Sequence, residues 1–336
     1  PIGIAAKQPR LSWILTSAAE NQVQTAYQVL VASSPSLLSE RKADFWNSTK
    51  IESDQSIQVN YQGAELKSRD VCWWKVRVWD KDGKASAWSE PASFEMGLLE
   101  AGDWKADWIK SSIIFEELDH PSPMLRKGFK LGKAVKSARL YISSLGLYVA
   151  EINGQRVGDR VLTPGWTSFQ YRVQYQTFDV SSMLNSGDNA IGVTLGNGWY
   201  RAFRPNSRNI EGYGSESLDL MAQLEVLYTD GSREVICTDP SWKSSTGPIL
   251  GSTMYDGESY DARLEKPGWS TADYTENEWS GVEVVSYDKA KVVAPAAPPM
   301  KKIEEIVPLE VLITPEGDTV VDLGQNMVGW IRLKVD

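Results

Sequence analysis

Histidine, cysteine and long apolar runs are scarce in this chain of 336 residues. Its one histidine, His120, lies in a loop-like segment, so Ser-His-Asp catalysis and histidine-based zinc sites have almost no material. Cys72 and Cys237 fall in segments assigned below to different domains, which predicts two small buried thiols without a disulfide. No apolar run reaches the roughly 18 residues of a membrane span. The first residues, Pro1–Ile4, lack signal-peptide character, so we expect a signal peptide to have been removed or never present.

Positive charge is also in short supply. The formal net charge is −9 and the sequence pI is close to 5.0. Nucleic acid and anionic lipid surfaces are bound through clusters of Lys and Arg, and no basic stripe is present here. We therefore expect neither a nucleic-acid partner nor membrane insertion.

Tryptophan, by contrast, is abundant: the chain has 14 Trp and 13 Tyr but only 7 Phe. Trp combines a flat apolar face with a polar N–H group, which suits loops that stack on sugar rings. The alternative is that these residues fill the cores of large β-sandwiches. Composition alone leaves both interpretations open.

Residues 1–98 alternate between short apolar-polar runs and clusters of Ser, Asp, Gly and Pro. The clearest runs are Ala26–Ala32, Ile57–Val59 and Cys72–Asp80. Period-2 alternation broken by turn residues is typical of a small antiparallel sandwich. The last of these runs, together with Ala87–Ser89, resembles the central strands of a fibronectin type III domain. We interpret this domain as a scaffold.

Residues 99–290 predict a second, larger β domain of jelly-roll type. Its expected strands are Met124–Phe129, Ser137–Ile142, Gly146–Ile152, Asn189–Leu195 and Met221–Tyr228. The dipeptides Asn153-Gly154 and Asp230-Gly231 favour tight hairpin turns. Helix is expected only near Val180–Leu184 and in short pieces near Ser270–Glu278.

Residues 291–336 predict a linker followed by the start of a third β domain. The proline-rich segment Ala294–Pro299 is too stiff and too poor in N–H donors for a sheet interior. Three strands are expected after it, at Leu309–Ile313, Thr319–Leu323 and Gly329–Val335. Three strands cannot close a core alone, so we expect a truncated domain. The predicted fold class is all-β, with β-sandwiches in tandem.

Glycines, amides and large aromatic residues coincide at the predicted ends of the jelly-roll strands. They occur in Leu195–Arg201, in Val161–Thr167 and before the strand-like Arg172–Thr177. A β-sandwich presents polar ligand sites on such loops. This arrangement favours a protein that handles sugars.

Five motifs, in order along the chain, resemble the front half of bacterial α-L-rhamnosidases of glycoside hydrolase family 78. They are Asn153–Asp159, Thr163–Thr167, Gly196–Tyr200, Gly257–Arg263 and Asp322–Trp330. The resemblance implies a fibronectin-like domain, a jelly roll similar to rhamnose-binding modules and a further β domain. It also implies a C-terminal (α/α)₆ barrel with an acid and a base carboxylate in an inverting mechanism. That barrel is missing from this sequence, so we expect no catalytic residues here and no activity of the chain alone.

A local acidic cluster is the one candidate for a carboxylate pair. An inverting hydrolase needs two carboxyl groups about 6.5–9.5 Å apart on opposite faces of the sugar. Alternation along an extended segment would place Asp256 and Glu258 on one face and Asp261 on the other. We interpret the cluster as a turn that pairs with Arg263 at the surface.

The resemblance also supplies a candidate sugar site. Family modules of this kind bind rhamnose through calcium, and Asp159 and Asn197 offer the oxygen donors that calcium prefers. We therefore predict these two residues as metal and sugar ligands. The other predicted carbohydrate-binding residues are Trp166, Trp199, Tyr200 and Arg204. Arg160 stands where a second oxygen donor would strengthen the metal site.

Two alternatives to this site stay open. Asn197-Gly198 is equally consistent with a simple turn and Trp199 with a core side chain. Arg201 and Arg204 could instead bind an acidic sugar such as a uronate.

The sequence thus favours the N-terminal portion of an α-L-rhamnosidase that captures rhamnose-containing carbohydrate and scaffolds a catalytic domain. The alternatives are a stand-alone carbohydrate-binding or adhesion protein, and a structural module set whose sugar site is lost. A capture role favours export to the periplasm, the surface or the medium over a cytoplasmic location.

Overall fold

A computed structural model describes residues 1–114, 121–201, 217–254 and 257–334 of the chain. Helix in these residues is limited to five 3₁₀ turns, namely Pro35–Leu37, Ala101–Asp103, Ser181–Met183, Ala262–Leu264 and Lys289–Lys291. The predicted all-β fold class is confirmed. None of the described ranges forms a helix long and apolar enough to cross a membrane.

The first seven strands form the N-terminal sandwich. They are β1 Arg10–Leu11, β2 Ala26–Ala32, β3 Trp46–Asn47, β4 Ile51–Glu52, β5 Val59–Asn60, β6 Val71–Trp79 and β7 Ala92–Glu95. One sheet has the order β3-β2-β6-β7, with β4 also paired to β2, and β1 pairs with β5 separately. Tyr27, Val29 and Val31 of β2 alternate into the core against Val59 of β5. Cys72 is a buried free thiol in this core.

The next fifteen strands form the second sandwich. They are β8 Trp108–Ser111, β9 Pro123–Leu131, β10 Val135–Leu145, β11 Leu147–Ile152, β12 Gln155–Arg156, β13 Val173–Gln174, β14 Gln176–Asp179, β15 Gly187–Gly196, β16 Asp219–Tyr228, β17 Arg233–Cys237, β18 Lys243–Thr246, β19 Ile249–Thr253, β20 Gly257–Tyr260, β21 Val282–Val285 and β22 Val292–Val293. One sheet has the order β14-β10-β16-β8-β21, with β17 beside β16. The facing sheet has the order β12-β11-β15-β9-β18.

The core lies between these two sheets. Leu140 and Leu224 come from the first, and Ile152, Val193 and Leu195 from the second. The Asn153-Gly154 dipeptide joins β11 to β12 with φ of 51° and 78°, the left-handed backbone expected of a tight hairpin turn. The half-buried Cys237 is also a free thiol.

The last two strands are β23 Glu310–Ile313 and β24 Thr319–Asp322. Within the described part of the chain they pair only with each other, and all their residues are exposed. The third strand expected at Gly329–Val335 is wrong over the described residues 329–334, which form no strand. An isolated two-stranded hairpin buries too little apolar surface to be stable in water.

The short helices expected near Ser270–Glu278 are also wrong, because this segment forms turns. Its backbone is anchored to the neighbouring sheet instead: the Arg126 guanidinium donates to the carbonyl of Thr271 at 2.9 Å and to the carboxylate of Glu276. Near Val180–Leu184, by contrast, a 3₁₀ turn forms at Ser181–Met183.

Tight contacts join the first two sandwiches. The Tyr175 hydroxyl accepts from the Leu98 N–H at 2.7 Å and donates to the Leu98 carbonyl at 3.1 Å. A Cβ at Gly97 would lie 2.2 Å from that hydroxyl oxygen, so only glycine allows this approach. Buried Glu95 also forms an ion pair with Arg139, whose Nη2 lies 2.8 Å from the Glu95 carboxylate.

Candidate functional site

The loop Thr163–Thr167 is fixed to the strands beside it. The Thr163 carbonyl accepts a hydrogen bond from the Tyr148 N–H at 2.9 Å, and the Thr163 hydroxyl donates to the Tyr148 carbonyl at 3.0 Å. The Gln176 amide donates to the Pro164 carbonyl at 3.0 Å and accepts from the Tyr148 hydroxyl at 2.7 Å. These contacts hold the loop, which carries Trp166, against β11 and β14.

The second loop, Gly196–Arg201, depends on one glycine. Gly198 has φ of 53°, and a Cβ there would lie 2.4 Å from Leu147 Cγ. Backbone and side chain of any other residue would therefore be strained at this position. The loop closes through the Arg201 N–H, which donates to the Asn197 carbonyl at 3.2 Å.

The two loops bring Trp166 and Trp199 together. Their ring centroids lie 5.9 Å apart with planes 9° from parallel, a stacked pair that we call the tryptophan shelf. Trp166 is 57% exposed, whereas Trp199 is half-buried and packs on the sandwich core. The structure thus brings together two residues that were each predicted to bind carbohydrate, and Trp199 supports the more exposed ring.

Tyr200 lies beneath the shelf rather than on it. Its side chain is buried and meets Phe169 edge-on, with ring centroids 5.2 Å apart. The Phe169 carbonyl in turn accepts from the Tyr287 hydroxyl at 2.6 Å. Tyr200 thus supports the loop from below.

Asp159 is held by a lysine from a distant part of the sequence. Lys301 Nζ donates to its carboxylate at 2.7 Å, and this hydrogen bond and charge lower the pKa of Asp159. The neighbouring Val161 N–H donates to the Met300 carbonyl at 3.0 Å. No local sequence signal pointed to Lys301, because it lies 142 positions away.

The remaining predicted site residues take different positions. Within the described ranges, no hydrogen bond joins half-buried Asn197 to Asp159. Arg204, predicted to bind sugar, and His120 both lie outside the described residues, and Arg201 is half-buried. The described ranges contain no group of three or more His, Cys, Asp or Glu side chains able to hold a metal ion.

The acidic cluster near residue 260 forms a turn. Asp261 caps Ala262–Leu264 and binds the Arg263 guanidinium at 2.5 Å, which confirms the predicted pairing for that residue. Glu258 is exposed on β20, and Asp256 lies outside the described residues.

Fold and loops together define a protein of tandem β-sandwiches with a loop-borne aromatic shelf. Two family profiles match such a chain: "Alpha-L-rhamnosidase N-terminal domain" over residues 133–304 and "Rha78A-like, N-terminal immunoglobulin domain" over residues 1–100. The chain belongs to the family of alpha-L-rhamnosidase N-terminal domains. The resemblance drawn from the motifs is confirmed.

Similar proteins carry the same designation. An alpha-L-rhamnosidase of Formosa agariphila is 38% identical over 343 residues, and one of Streptomyces avermitilis is 30% identical over 507. All of this chain is covered in both, but it spans only 37% and 48% of those proteins. The Streptomyces match runs over more positions than this chain has residues, so that protein contains segments without a counterpart here.

Solved structures agree with this grouping. An alpha-L-rhamnosidase from Aspergillus terreus superposes with a TM-score of 0.87 at 39% identity, over 98% of this chain and 37% of that one. The Streptomyces avermitilis alpha-L-rhamnosidase complexed with L-rhamnose gives 0.87 at 28% identity, over 97% and 48%.

Proposed function

We propose that this chain is the substrate-capturing, non-catalytic N-terminal part of an α-L-rhamnosidase that removes terminal α-L-rhamnose from polysaccharides or glycosides. Its partners are a rhamnose-containing carbohydrate and a C-terminal catalytic domain. The family membership supports the parent activity, and the relatives' greater length supports a catalytic part beyond the region matched here. The domains are 1–98, 99–290 and 291–336, and the protein acts outside the cytoplasm.

The tryptophan shelf is the observation that carries the capture role. Trp166 exposes a large aromatic ring at the rim of a sandwich, and the parallel ring of Trp199 supports it from the core side. A pyranose ring has one face of C–H groups that packs against such a surface, and rhamnose adds a methyl group. Trp is enriched at interfaces, because its ring is apolar while its N–H group can hydrogen-bond.

Calcium is the second part of the proposal. Asp159 would supply a carboxylate oxygen and Asn197 an amide oxygen, the donors that calcium prefers. The ammonium group of Lys301 opposes a cation at that position. Calcium binding by Asp159 therefore requires Lys301 to move away.

Calorimetric titration of L-rhamnose into the chain, in calcium and again in chelator, tests both parts. We expect binding at the tryptophan shelf that Trp166→Ala removes, whereas Tyr171→Ala, which removes another exposed aromatic ring, should leave the affinity of the shelf unchanged. Binding in chelator at undiminished affinity would remove calcium from the proposal. No binding in either condition would leave these domains as a scaffold.

A further inference from the structure

A second candidate site lies on the outer face of the five-stranded sheet, away from the core. Inward positions of β15 are Val193 and Leu195, so Gly192 and Thr194 point outward. Register places Thr194 opposite Met124 of β9, which makes a small floor on that outer face. Residues 261–280, here called the cover segment, pack over the same face.

The cover segment is held rigidly. The Trp269 ring reaches the sheet where Gly192 leaves room, since a Cβ there would lie 2.5 Å from it. The Trp269 ring also stacks on the Trp279 ring, with ring centroids 6.1 Å apart and planes 14° from parallel. Ser270 donates to the Glu151 carboxylate at 2.5 Å. The Trp269 ring is therefore fixed before any ligand arrives.

Between the cover segment and the β19–β20 hairpin is a cleft of about 340 Å³, lined by Ser122, Met124, Thr194, Tyr260, Glu265 and Trp269 among others. That volume lies within the range of roughly 300–1,000 Å³ typical of small-molecule sites. The Tyr260 hydroxyl donates to Glu265 at 2.6 Å and so links the two walls. Among the described residues, Glu265 accepts no other side-chain hydrogen bond.

We propose that this cleft binds one neutral pyranose unit of the carbohydrate that the chain captures. The inference rests on the proposed function, because it takes the ligand to be a saccharide. Trp269 and Met124 offer apolar surface for the C–H face of the ring. The Glu265 carboxylate and the hydroxyls of Ser122 and Thr194 offer hydrogen bonds to ring hydroxyls. Small-molecule sites usually have this composition, a mostly apolar lining with a few polar groups.

Charge favours a neutral sugar over an acidic one. Glu265 and Lys266 both line the cleft, and their opposite charges cancel. The carboxylate hydrogen-bonded to Tyr260 would repel a uronate. A hydroxyl donating to that carboxylate makes a charge-assisted hydrogen bond, roughly twice as strong as one between neutral groups.

The test is a titration of L-rhamnose into the whole chain and into four variants, one of them a control. We expect two binding sites in the unmodified chain. Trp166→Ala should remove one of them, and Tyr260→Ala should remove the other. Glu265→Gln keeps the side-chain shape and should weaken the cleft site by about tenfold through the loss of a charge-assisted hydrogen bond. Glu90→Gln, at an exposed glutamate of the first sandwich, is the matched control and should change nothing.

The outcomes separate the two proposals. One site that Trp166→Ala abolishes and Glu265→Gln leaves intact would overturn the cleft and leave the capture role standing. A single site that Trp166→Ala leaves intact and Glu265→Gln weakens would overturn the shelf and support the cleft. No binding at all would overturn both, and tighter binding of D-galacturonate than of L-rhamnose at the cleft would overturn the neutral-sugar assignment.

Discussion

Arg69 of the first sandwich holds Glu225 of the second in a two-point ion pair. Its Nε and Nη2 donate to the two carboxylate oxygens at 2.7 and 2.6 Å. Its Nη1 also donates to Asp103, in the segment between the sandwiches, at 2.9 Å. Arg69 and Glu225 are only 27% and 13% exposed, so this contact is shielded from solvent. The planar guanidinium thus fixes the relative orientation of the two domains.

Glu225→Gln should therefore destabilise the chain. It weakens two charge-assisted hydrogen bonds and leaves part of the Arg69 charge uncompensated, at a cost of about 1.5–3 kcal/mol. Chemical denaturation measures this as a drop in the free energy of unfolding. Asp188→Asn is the control, because its ion pair with Lys130 is 3.6 Å long and about 72% exposed on both sides, so removing it should cost less than about 1 kcal/mol. Equal losses in the two variants would contradict a role for Arg69 in joining the domains.

Acid should weaken the same junction. Burial alone would raise the pKa of Asp103, but hydrogen bonds from Ser68 and Arg69 outweigh it and hold that pKa below the usual 3.8. A lowered folded-state pKa contributes stability above the unfolded value, and this contribution is lost as pH falls through the folded one.

Asp103→Asn should accordingly flatten the dependence of stability on pH below about pH 4. The measurement is the free energy of unfolding at several pH values from about 5 down to about 2.5. A variant that keeps the full acid sensitivity would show that Asp103 is not its source.

Gly198→Ala should disturb the tryptophan shelf. A methyl group at this left-handed position would meet Leu147 at 2.4 Å, and the strain should cost about 1–3 kcal/mol. Trp199 is the next residue in the sequence, so the strain should displace its ring and weaken L-rhamnose binding at the shelf. At Gly251 an added Cβ meets nothing within 4 Å, and Gly251→Ala should leave both the melting temperature and the affinity nearly unchanged.

Local patterns in the sequence anticipated much of the sheet structure. Alternation predicted β2 with its limits at Ala26–Ala32, and Asn153-Gly154 predicted the hairpin turn between β11 and β12. Both features are set by neighbouring residues. The wrong predictions concern segments whose structure depends on contacts with distant residues. Ser270–Glu278 is anchored by Arg126, which lies 145 positions before its partner Thr271.

The candidate sites divide in the same way. Trp166 and Trp199 could be selected as site residues from the motifs of their loops, and the structure stacks their rings. The outer cleft could not, because it exists only once the cover segment packs over Gly192 and Thr194. A glycine at an outward strand position is a weak signal of such close packing.

Lys301→Ala tests the metal prediction directly. It removes the ammonium group 2.7 Å from Asp159, so a calcium ion at that carboxylate should bind up to about fivefold more tightly, the scale of an exposed ion pair. Titration of calcium chloride into both proteins measures the change. Lys302→Ala, next in sequence and paired with Glu305 instead, should bind calcium as the unmodified chain does. Identical calcium responses in all three proteins would rule out Asp159 as a ligand.

Glu276→Ala should release the cover segment from the sheet. Arg126 is 2% exposed, binds Glu276 and Thr271, and lies 5.4 Å from the centre of the Tyr274 ring. Its Nε has no partner within the described residues, so its buried charge already depends on few contacts. Removing the carboxylate leaves that charge unpaired, at a cost of about 3–5 kcal/mol.

This cost should appear as local opening. Trypsin should cleave after Arg263, in the same cover segment, faster in Glu276→Ala than in the unmodified chain, because the segment loses its anchor to the sheet. Glu278→Ala, at an exposed neighbour, should cleave at the original rate. Since Trp269 belongs to the same segment, the cleft should lose its sugar affinity together with its protection. Faster cleavage with full cleft affinity would show that Trp269 holds its position through Trp279 and Gly192 alone.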